Sequence, residues 1–387
     1  MTLVIAYSEF DSVRDNLLIV ADSERDANML YAVRMFVPDP FIYLHLHGKC
    51  HVVMNDLEIG RARTQARHCK ILSWTHWVKQ LRDDGVRHVN AAQVIRAILR
   101  DKGVKRVLVP HDFPLGLAEE LRKLKIKLKV KRGLFFPERE RKNAEEVKKI
   151  SAALMMAEVG LAEAIHALKN SKVGRNRRLM HRNNPLTSEK LRAIIDTAIL
   201  QAGGLPANTI VAGGQQACDP HERGHGVLRA GEPIILDVFP RSQKTGYFGD
   251  ITRTVVKGRA SEAVRALYDT VLSGQEIAFQ HIRHGARAAD IHTKVQDFFN
   301  GRGFKTGKLG GRMSGFFHGT GHGLGMDIHE SPRVGPASKD QLRAGHVVTV
   351  EPGLYYPGIG GVRLEDVAHV TGKIPRNLTK FEKVLEV

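Results

Sequence analysis

Residues His318 to Glu330 read HGTGHGLGMDIHE, which puts His318, His322 and His329 within twelve positions, interleaved with glycines and closed by a carboxylate. Imidazole is the commonest neutral metal ligand near pH 7 and also a proton carrier. A chain with nineteen histidines groups some by chance, so the run gains meaning from its company. Two carboxylates, Asp237 and Asp250, precede it on one apparent hairpin, and two more, Glu351 and Glu365, follow on another.

In PIILDVF (Pro233 to Phe239), Asp237 interrupts an apolar strand. A bare carboxylate there costs several kcal/mol unless a counter-charge or metal compensates it. PRSQKTGYFG turns the chain, and DITRTVVKG returns as a β-branched strand beginning with Asp250. The pattern recurs near the end: HVVTVEPGLYY carries Glu351, PGIGG turns, and VRLEDVAHVT brings Glu365 back. The separations, 13 and 14 residues, make the hairpins read as matching halves of one site. Four ionised carboxylates and one neutral imidazole carry a charge that two divalent cations cancel. Mostly oxygen donors with one nitrogen suit Mn, Co, Fe or Zn. Ions about 3.5–4 Å apart would share a water, lower its pKa and give a hydroxide suited to amide hydrolysis.

Two look-alikes fail on their surroundings. His318 and His322 have the histidine spacing of HExxH, but Gly319 and the glycines that follow oppose an uninterrupted helix. GTGHGLG lacks the Lys-Ser/Thr and the helix start of a phosphate loop.

A chain of 387 residues has room for two domains, each with its own core. Apolar, glycine and proline contents are those of a soluble globular protein. No window holds eighteen uninterrupted apolar residues, so no spanning helix is expected. The opening MTLVIAYSEFDSVRD turns acidic without a basic leader, and no secretory signal is read there. Cys50, Cys69 and Cys218 are odd in number and lack CxxC spacing. Reduced thiols in a cytoplasmic protein fit that pattern. Against 41 acidic residues stand 59 basic ones, net +18. That excess would favour polyanions, although a solvated basic surface is the simpler reading.

Along the chain, LLIVA (17–21), FIYLHLHG (41–48), CHVVMN (50–55), RVLVP (106–110) and KIKLKV (125–130) read as strands. AAQVIRAILRDKG, ending in Gly103, and LAEELRKLK read as amphipathic helices between them. The order suggests a mixed sheet flanked by helices. His45, His47, His51, His68, His76 and His111 fall here without a carboxylate at ligand spacing and read as surface or core histidines. Composition shifts at RGLFFPERERK (132–142), dividing the chain into domains 1–137 and 138–387. Beyond lie a long helix from Ala144, a basic unpatterned loop KNSKVGRNRRLMHRNNP read as an exposed connection, and three further amphipathic helices.

HGTGHGLGMDIHE matches the histidine-rich signature of the aminopeptidase P and prolidase group of pita-bread metallopeptidases, and GYFGDITRT, VEPGLYY and GVRLEDV resemble that group's other metal-binding segments. The likeness covers roughly 138–387, with a weaker resemblance of the first part to a creatinase-like N-terminal domain. It implies an α/β (α+β) protein with a mixed-sheet N-terminal domain and a C-terminal pita-bread domain. It also implies two divalent ions, Mn first, and hydrolysis of an N-terminal Xaa-Pro bond through a metal-bridging hydroxide. By position, Asp237 would bind one ion, Asp250 and Glu365 would bridge both, and His322 and Glu351 would complete the other. Glu351 would also accept the nucleophile's proton, and His329 would steady the oxyanion. His221, in DPHERGH, would contact substrate, with His225 as the alternative; His318 and Arg363 would touch substrate or support the ligands. The group's first hairpin usually separates its aspartates by two fewer residues, and a small residue usually replaces Val238-Phe239, so the turn Pro240 to Thr245 is expected to reshape the pocket mouth. The partners implied are peptides with proline second and a second copy of the chain in a homodimer, without membrane. The alternatives are a prolidase-type dipeptidase, a metal-free creatinase-like amidinohydrolase, and a non-catalytic nucleic-acid- or protein-binding relative using the basic surface.

Overall fold

The computed structural model describes residues 15–387. Most of the opening segment in which no signal is read lies outside the described residues. The α/β class expected from the strand–helix order is what the structure shows. The chain divides into two compact units, Met1–Pro137 and Glu138–Val387.

In the first unit, strands β1 (Leu17–Ala21), β2 (Phe41–Leu46), β3 (Lys49–Met54), β4 (Lys70–Ser73), β5 (Arg106–Val109) and β6 (Lys127–Val130) form one sheet in the order β4-β3-β2-β1-β5-β6. Pairing is antiparallel within β1-β2-β3 and parallel elsewhere, hence mixed. Side chains alternate across a strand. Leu17 and Ile19 pack on one face with Met29 and Val33 of α1 (Ala27–Val33), and Leu18 packs on the other with Ile95 and Ile98. Those last two sit on α4 (Ala91–Asp101), which a reciprocal Asn90–Gln93 capping box starts. Gly103, at φ +66°, lets the chain turn away from the helix. Trimming Ile98, wholly buried, to alanine should cost about 2–5 kcal/mol.

Cys50 and Cys69 are joined by a disulfide, Cα to Cα 4.6 Å, which corrects the expectation of three reduced thiols. A 19-residue spacing carries no local signature. The parallel register creates the pair: His51 lies opposite Lys70, so the residues one step earlier are neighbours.

In the second unit α6 (Ala144–Lys169) packs along α7 (Ser188–Gln201). A side chain at Gly160 would press within 3.0–3.1 Å of Ile195 and Ile199, so glycine lets the helices close. By length and composition alone, α6 is long and apolar enough to cross a membrane. Its apolarity has a packing reason, since Val147, Ile150, Leu154, Ala157 and Leu161 are buried inside the unit. The basic segment after it also departs from the reading as an unpatterned loop. Lys172–Val173, Leu179–His181 and Asn184–Pro185 form a small three-stranded antiparallel sheet. Its strands are too short for periodicity, and its last turn uses positive φ at Arg182 and Asn183.

Strands Ile210–Gly213, Pro233–Val238 and Ile251–Val256 form one antiparallel sheet. Glu330–Val334, Gly321–Gly323, Val347–Val350, Asp366–His369 and Arg376–Asn377 form another, in that order. Gly353–Tyr356 and Gly360–Arg363 pair as a separate hairpin. Two helices, α8 (Glu262–His281) and α9 (Ala288–Gly301), supply Leu267, Val271, Val295 and Phe299 to the core behind these strands. Glu351 and Glu365 thus sit where strands of different sheets meet, while Asp237 lies within and Asp250 just before paired strands of one sheet.

Candidate metal centre

The glycines around His322 have a steric cause. A Cβ at Gly321 would stand 1.9 Å from the Thr349 carbonyl oxygen, and one at Gly323 would stand 2.2 Å from that of Ser331. Only glycine lets three strands close on this histidine. The His322 backbone N–H donates to Thr349 Oγ1 (3.1 Å), and Nδ1 lies 3.1 Å from the Gly323 carbonyl oxygen. A carbonyl can only accept, so Nδ1 carries the proton and Nε2 presents its lone pair.

That Nε2 faces carboxylates: Glu351 Oε1 at 3.3 Å and Asp250 Oδ2 at 3.7 Å. Ligand atoms of Asp250, His322 and Glu365 all lie within 4.8 Å of one another, and all three residues are buried. Asp250 stands just before its strand. The six-residue turn Pro240–Thr245 folds into a tight loop in which Ser242 accepts from Gly246 and Arg241 Nε donates to the Gly246 carbonyl oxygen. The extra length thus leaves Asp250 beside His322. Glu351 and Glu365 occupy breaks: Glu351 falls between strands Val347–Val350 and Gly353–Tyr356, Glu365 between Gly360–Arg363 and Asp366–His369. The Glu351 amide donates to the Thr320 carbonyl oxygen (2.8 Å) and the Glu365 amide to that of Thr252 (3.0 Å). Thr252 Oγ1 donates to Glu365 Oε2 (2.8 Å).

Asp237 is anchored from behind. Arg363 Nη2 donates to its Oδ2 at 2.6 Å, and Arg363 Nη1 to the Tyr355 hydroxyl at 3.0 Å. Tyr355 reaches His318 Nε2 at 2.8 Å, while His318 Nδ1 lies 2.8 Å from the Gly319 carbonyl oxygen. The proton on Nδ1 makes Nε2 the acceptor, so Tyr355 receives from Arg363 and gives to His318.

The electrostatics show a site short of positive charge. Burial first, then Glu365, Asp237 and Glu351, raises the Asp250 carboxyl well above the usual carboxylate range. Burial, then Glu351 and Asp237, does the same to Glu365. Burial pushes Glu351 up to about 7 against the pull of Arg363. Burial and then the His329 charge push His322 down to about 3, which keeps its nitrogen free for a cation. Buried oxygens in mutual repulsion around a neutral imidazole fit divalent cations, which would relieve both the burial and the repulsion.

A family model described as metallopeptidase family M24 matches residues 148–372, more than half of the chain. The chain belongs to metallopeptidase family M24. It is therefore a peptidase whose chemistry uses divalent metal ions. An Xaa-Pro dipeptidase of Pyrococcus horikoshii is 29% identical over 289 residues, covering 73% of this chain and 76% of that protein. An uncharacterized peptidase of Bacillus subtilis is 37% identical over 177 residues, 46% of this chain and 47% of that one. Among solved structures, an X-Pro aminopeptidase from Thermotoga maritima superposes with TM-score 0.81 at 21% identity, over 97% of this chain and 98% of that one. A prolidase from Pyrococcus furiosus superposes with TM-score 0.77 at 22% identity, over 96% and 98%. At such identity these superpositions establish the fold, the pita-bread fold expected for the second unit.

The other expected residues of this M24 chain fall into place unevenly. His329 is exposed, and its ring stands 4.4 Å from that of His322 at 88°. Burial, then Arg333 and His221, lowers its pKa. His221 is exposed on the loop after Cys218, near enough for its charge to bear on both His318 and His329. His225 faces Glu222 instead, at 3.6 Å. Arg363 lies behind the carboxylates, wholly enclosed by Asp237 and Tyr355.

Several participants carried no signal in the sequence. Tyr355 sits inside the VEPGLYY segment, yet nothing in the segment marks it as the link between Arg363 and His318. Arg333 is exposed and pairs in register with His322, and its charge bears on His322, His329 and Glu351. Glu330 is tied down by Arg139 (2.5 Å) and Lys142 (2.7 Å) and accepts from the amides of Met326 and Asp327, which fixes the loop entering His329.

Proposed function

We propose that this peptidase hydrolyses the bond between an N-terminal residue and proline, with two divalent ions, Mn2+ preferred, held by Asp237, Asp250, His322, Glu351 and Glu365. The convergence of Asp250, His322, Glu351 and Glu365, with Asp237 near enough for its charge to bear on the three other carboxylates, supports that reading most directly. Such ions supply a Lewis acid and a water acidified enough to attack an amide.

The chain's own residues do the rest. Glu351, its oxygen 3.3 Å from His322 Nε2, accepts the proton of the attacking water and returns it to the leaving nitrogen. His329 presents an exposed ring edge beside His322 and donates to the oxygen that gains charge at the scissile carbonyl. His221 and His318 line the substrate side, burial and then the Arg363 charge keep His318 neutral, and the Arg363–Tyr355 relay holds the His318 ring and Asp237 in place. Proline preference rests on likeness to relatives named for it.

Arg333 favours the dipeptidase reading over the aminopeptidase one. An exposed guanidinium in register with His322 suits a free carboxylate close to the scissile bond, which a dipeptide has there and a longer peptide lacks. A cytoplasmic homodimer is proposed alongside, to be checked by fractionation and sedimentation. The deciding experiment compares Xaa-Pro, Xaa-Pro-peptide, Met-Ala-peptide and creatine as substrates, with Mn2+ and after chelation. Metal-dependent cleavage of the two proline substrates, the dipeptide faster, is expected. Metal-independent turnover, or preference for Met-Ala, would overturn the proposal.

A further inference from the structure

We propose that Cys50, His68 and Cys69 form a soft-cation site for Zn2+ in the first unit, open when the two sulfurs are reduced. Lys-Cys-His at 49–51 and His-Cys-Lys at 68–70 each set a thiol beside an imidazole. The parallel register of β3 and β4 brings the two segments together. The sulfurs and a ring nitrogen of His68 all lie within 4.8 Å of one another. A tetrahedral zinc, with bonds of about 2.3 Å to sulfur and about 2.0 Å to nitrogen, needs its donors roughly 3.5–4 Å apart. Small side-chain rotations on reduction therefore suffice.

His68 is held as a ligating imidazole usually is. Its Nε2 lies 2.8 Å from the Ala32 carbonyl oxygen. That oxygen can only accept, so Nε2 carries the proton and Nδ1 keeps the lone pair. No carboxylate belongs to the cluster, so a hard cation gains little, whereas two sulfurs and an imidazole select a soft one. Cys69 is buried, Cys50 half-buried and His68 exposed, so a cation can enter from solvent. Three protein donors leave one position for water or an exogenous ligand, as in an exchangeable site rather than a closed structural one.

The disulfide of this structure and the cation compete for the same sulfurs. An external dithiol, oxidised to its own disulfide, delivers two electrons and two protons to give two thiols. The cation then releases those two protons as it binds.

The test titrates the reduced, desalted full chain with Co2+ in the absence of oxygen. The expected result is a near-ultraviolet sulfur-to-cobalt absorption with the amplitude of one site per chain, displaced by Zn2+, whatever cobalt the carboxylate centre also takes. The oxygen and nitrogen donors of the carboxylate centre cannot give that band. Cys218→Ser should keep it, and Cys69→Ser or reoxidation should abolish it. His68→Ala should weaken binding at least about tenfold, since losing even an outer partner of a ligand costs ten- to a hundredfold. Unchanged peptide hydrolysis by these variants would show them folded and would stand whatever the cobalt result. A reduced protein that shows no such band overturns the inference, as does a disulfide that excess reductant leaves intact; either outcome leaves a structural disulfide only.

Discussion

Arg363 and Asp237 form a buried ion pair, Nη2 to Oδ2 2.6 Å, between the Gly353–Arg363 hairpin and the central strand of a different sheet. The same guanidinium holds Tyr355, so one planar fork serves two acceptors. Arg363→Met should lower kcat on the order of a hundredfold or more, the usual loss for one preorganised electrostatic group. Arg363→Lys should recover little, because a single ammonium cannot reproduce the fork. Steady-state kinetics with metal content measured in parallel would check this; full activity in the lysine variant would sink it.

Chelation should abolish hydrolysis, and added Mn2+ should restore it. Ions held as proposed would also relieve the repulsion among Asp250, Glu351 and Glu365, so the melting temperature should rise with metal. A site at a hundredfold excess over Kd adds about 2.7 kcal/mol. Glu365→Gln should reduce the bound metal measured by elemental analysis. A metal content equal to that of the parent would contradict the place of Glu365 among the residues proposed to hold metal.

Glu330 is 8% exposed and Lys142 1%, so Lys142→Met takes from a buried carboxylate one of its two cationic partners among the described residues. A loss of roughly 3 kcal/mol is expected on removing one partner of a buried pair, read as a lower urea midpoint. Burial by itself would raise the Glu330 pKa, but Lys142 and Arg139 outweigh it and lower it. A depressed carboxyl stabilises the fold above its unfolded pKa of 4.5, and that contribution is lost as pH falls from there through the lower folded value. The parent should therefore lose more stability in acid than Lys142→Met does. A parallel pair of pH curves would refute this.

His346 gives the opposite case of a buried imidazole kept neutral. Burial, then Lys142 and Arg141, pushes it down to about 4 from 6.5. Its Nδ1 accepts from the Arg343 amide, and its Nε2, 4.0 Å from Glu140 Oε2, has no hydrogen-bond partner among the described residues. Between pH 6.5 and 4 the unfolded chain takes up this proton and the folded chain does not, so stability falls as pH drops through that window. The expected difference between pH 7 and pH 5 is roughly 2 kcal/mol. His346→Asn, which can still accept from Arg343, should flatten the slope.

Arg333→Ala should raise KM for Xaa-Pro dipeptides on the order of tenfold, the loss of one charge-assisted contact, and should affect longer Xaa-Pro peptides little. Equal effects on both would return the choice to an aminopeptidase.

The strands and the donors were readable because each obeys a local rule. Leu17–Ala21 and Phe41–Leu46 are apolar runs between turns, and each acidic residue lies within or at the end of an apolar strand that has no other use for charge. What could not be read depends on what meets in space. The helix Trp74–Asp83 is an exception, since its apolar stripe of Trp74, Trp77, Val78 and Leu81 stands at helical spacing and packs, only partly buried, against the core of the first unit. The Cys50–Cys69 bond depends on strand register, and His68 gains its interest only from it. Arg333 looks like any surface arginine until its partner strand is known, and Tyr355 like any core tyrosine until Arg363 and His318 close on it.

The breaks at Glu351 and Glu365 carry a mechanical consequence. A carboxylate placed mid-ladder could be pushed aside by its neighbours while its strand stayed paired. Here the amides of those same two residues hold Thr320 and Thr252, so the stitches joining three sheets are tied at the point of greatest mutual repulsion. The cations would then act as the keystone of an arch, turning a place that strains to spread into the one that locks its neighbours.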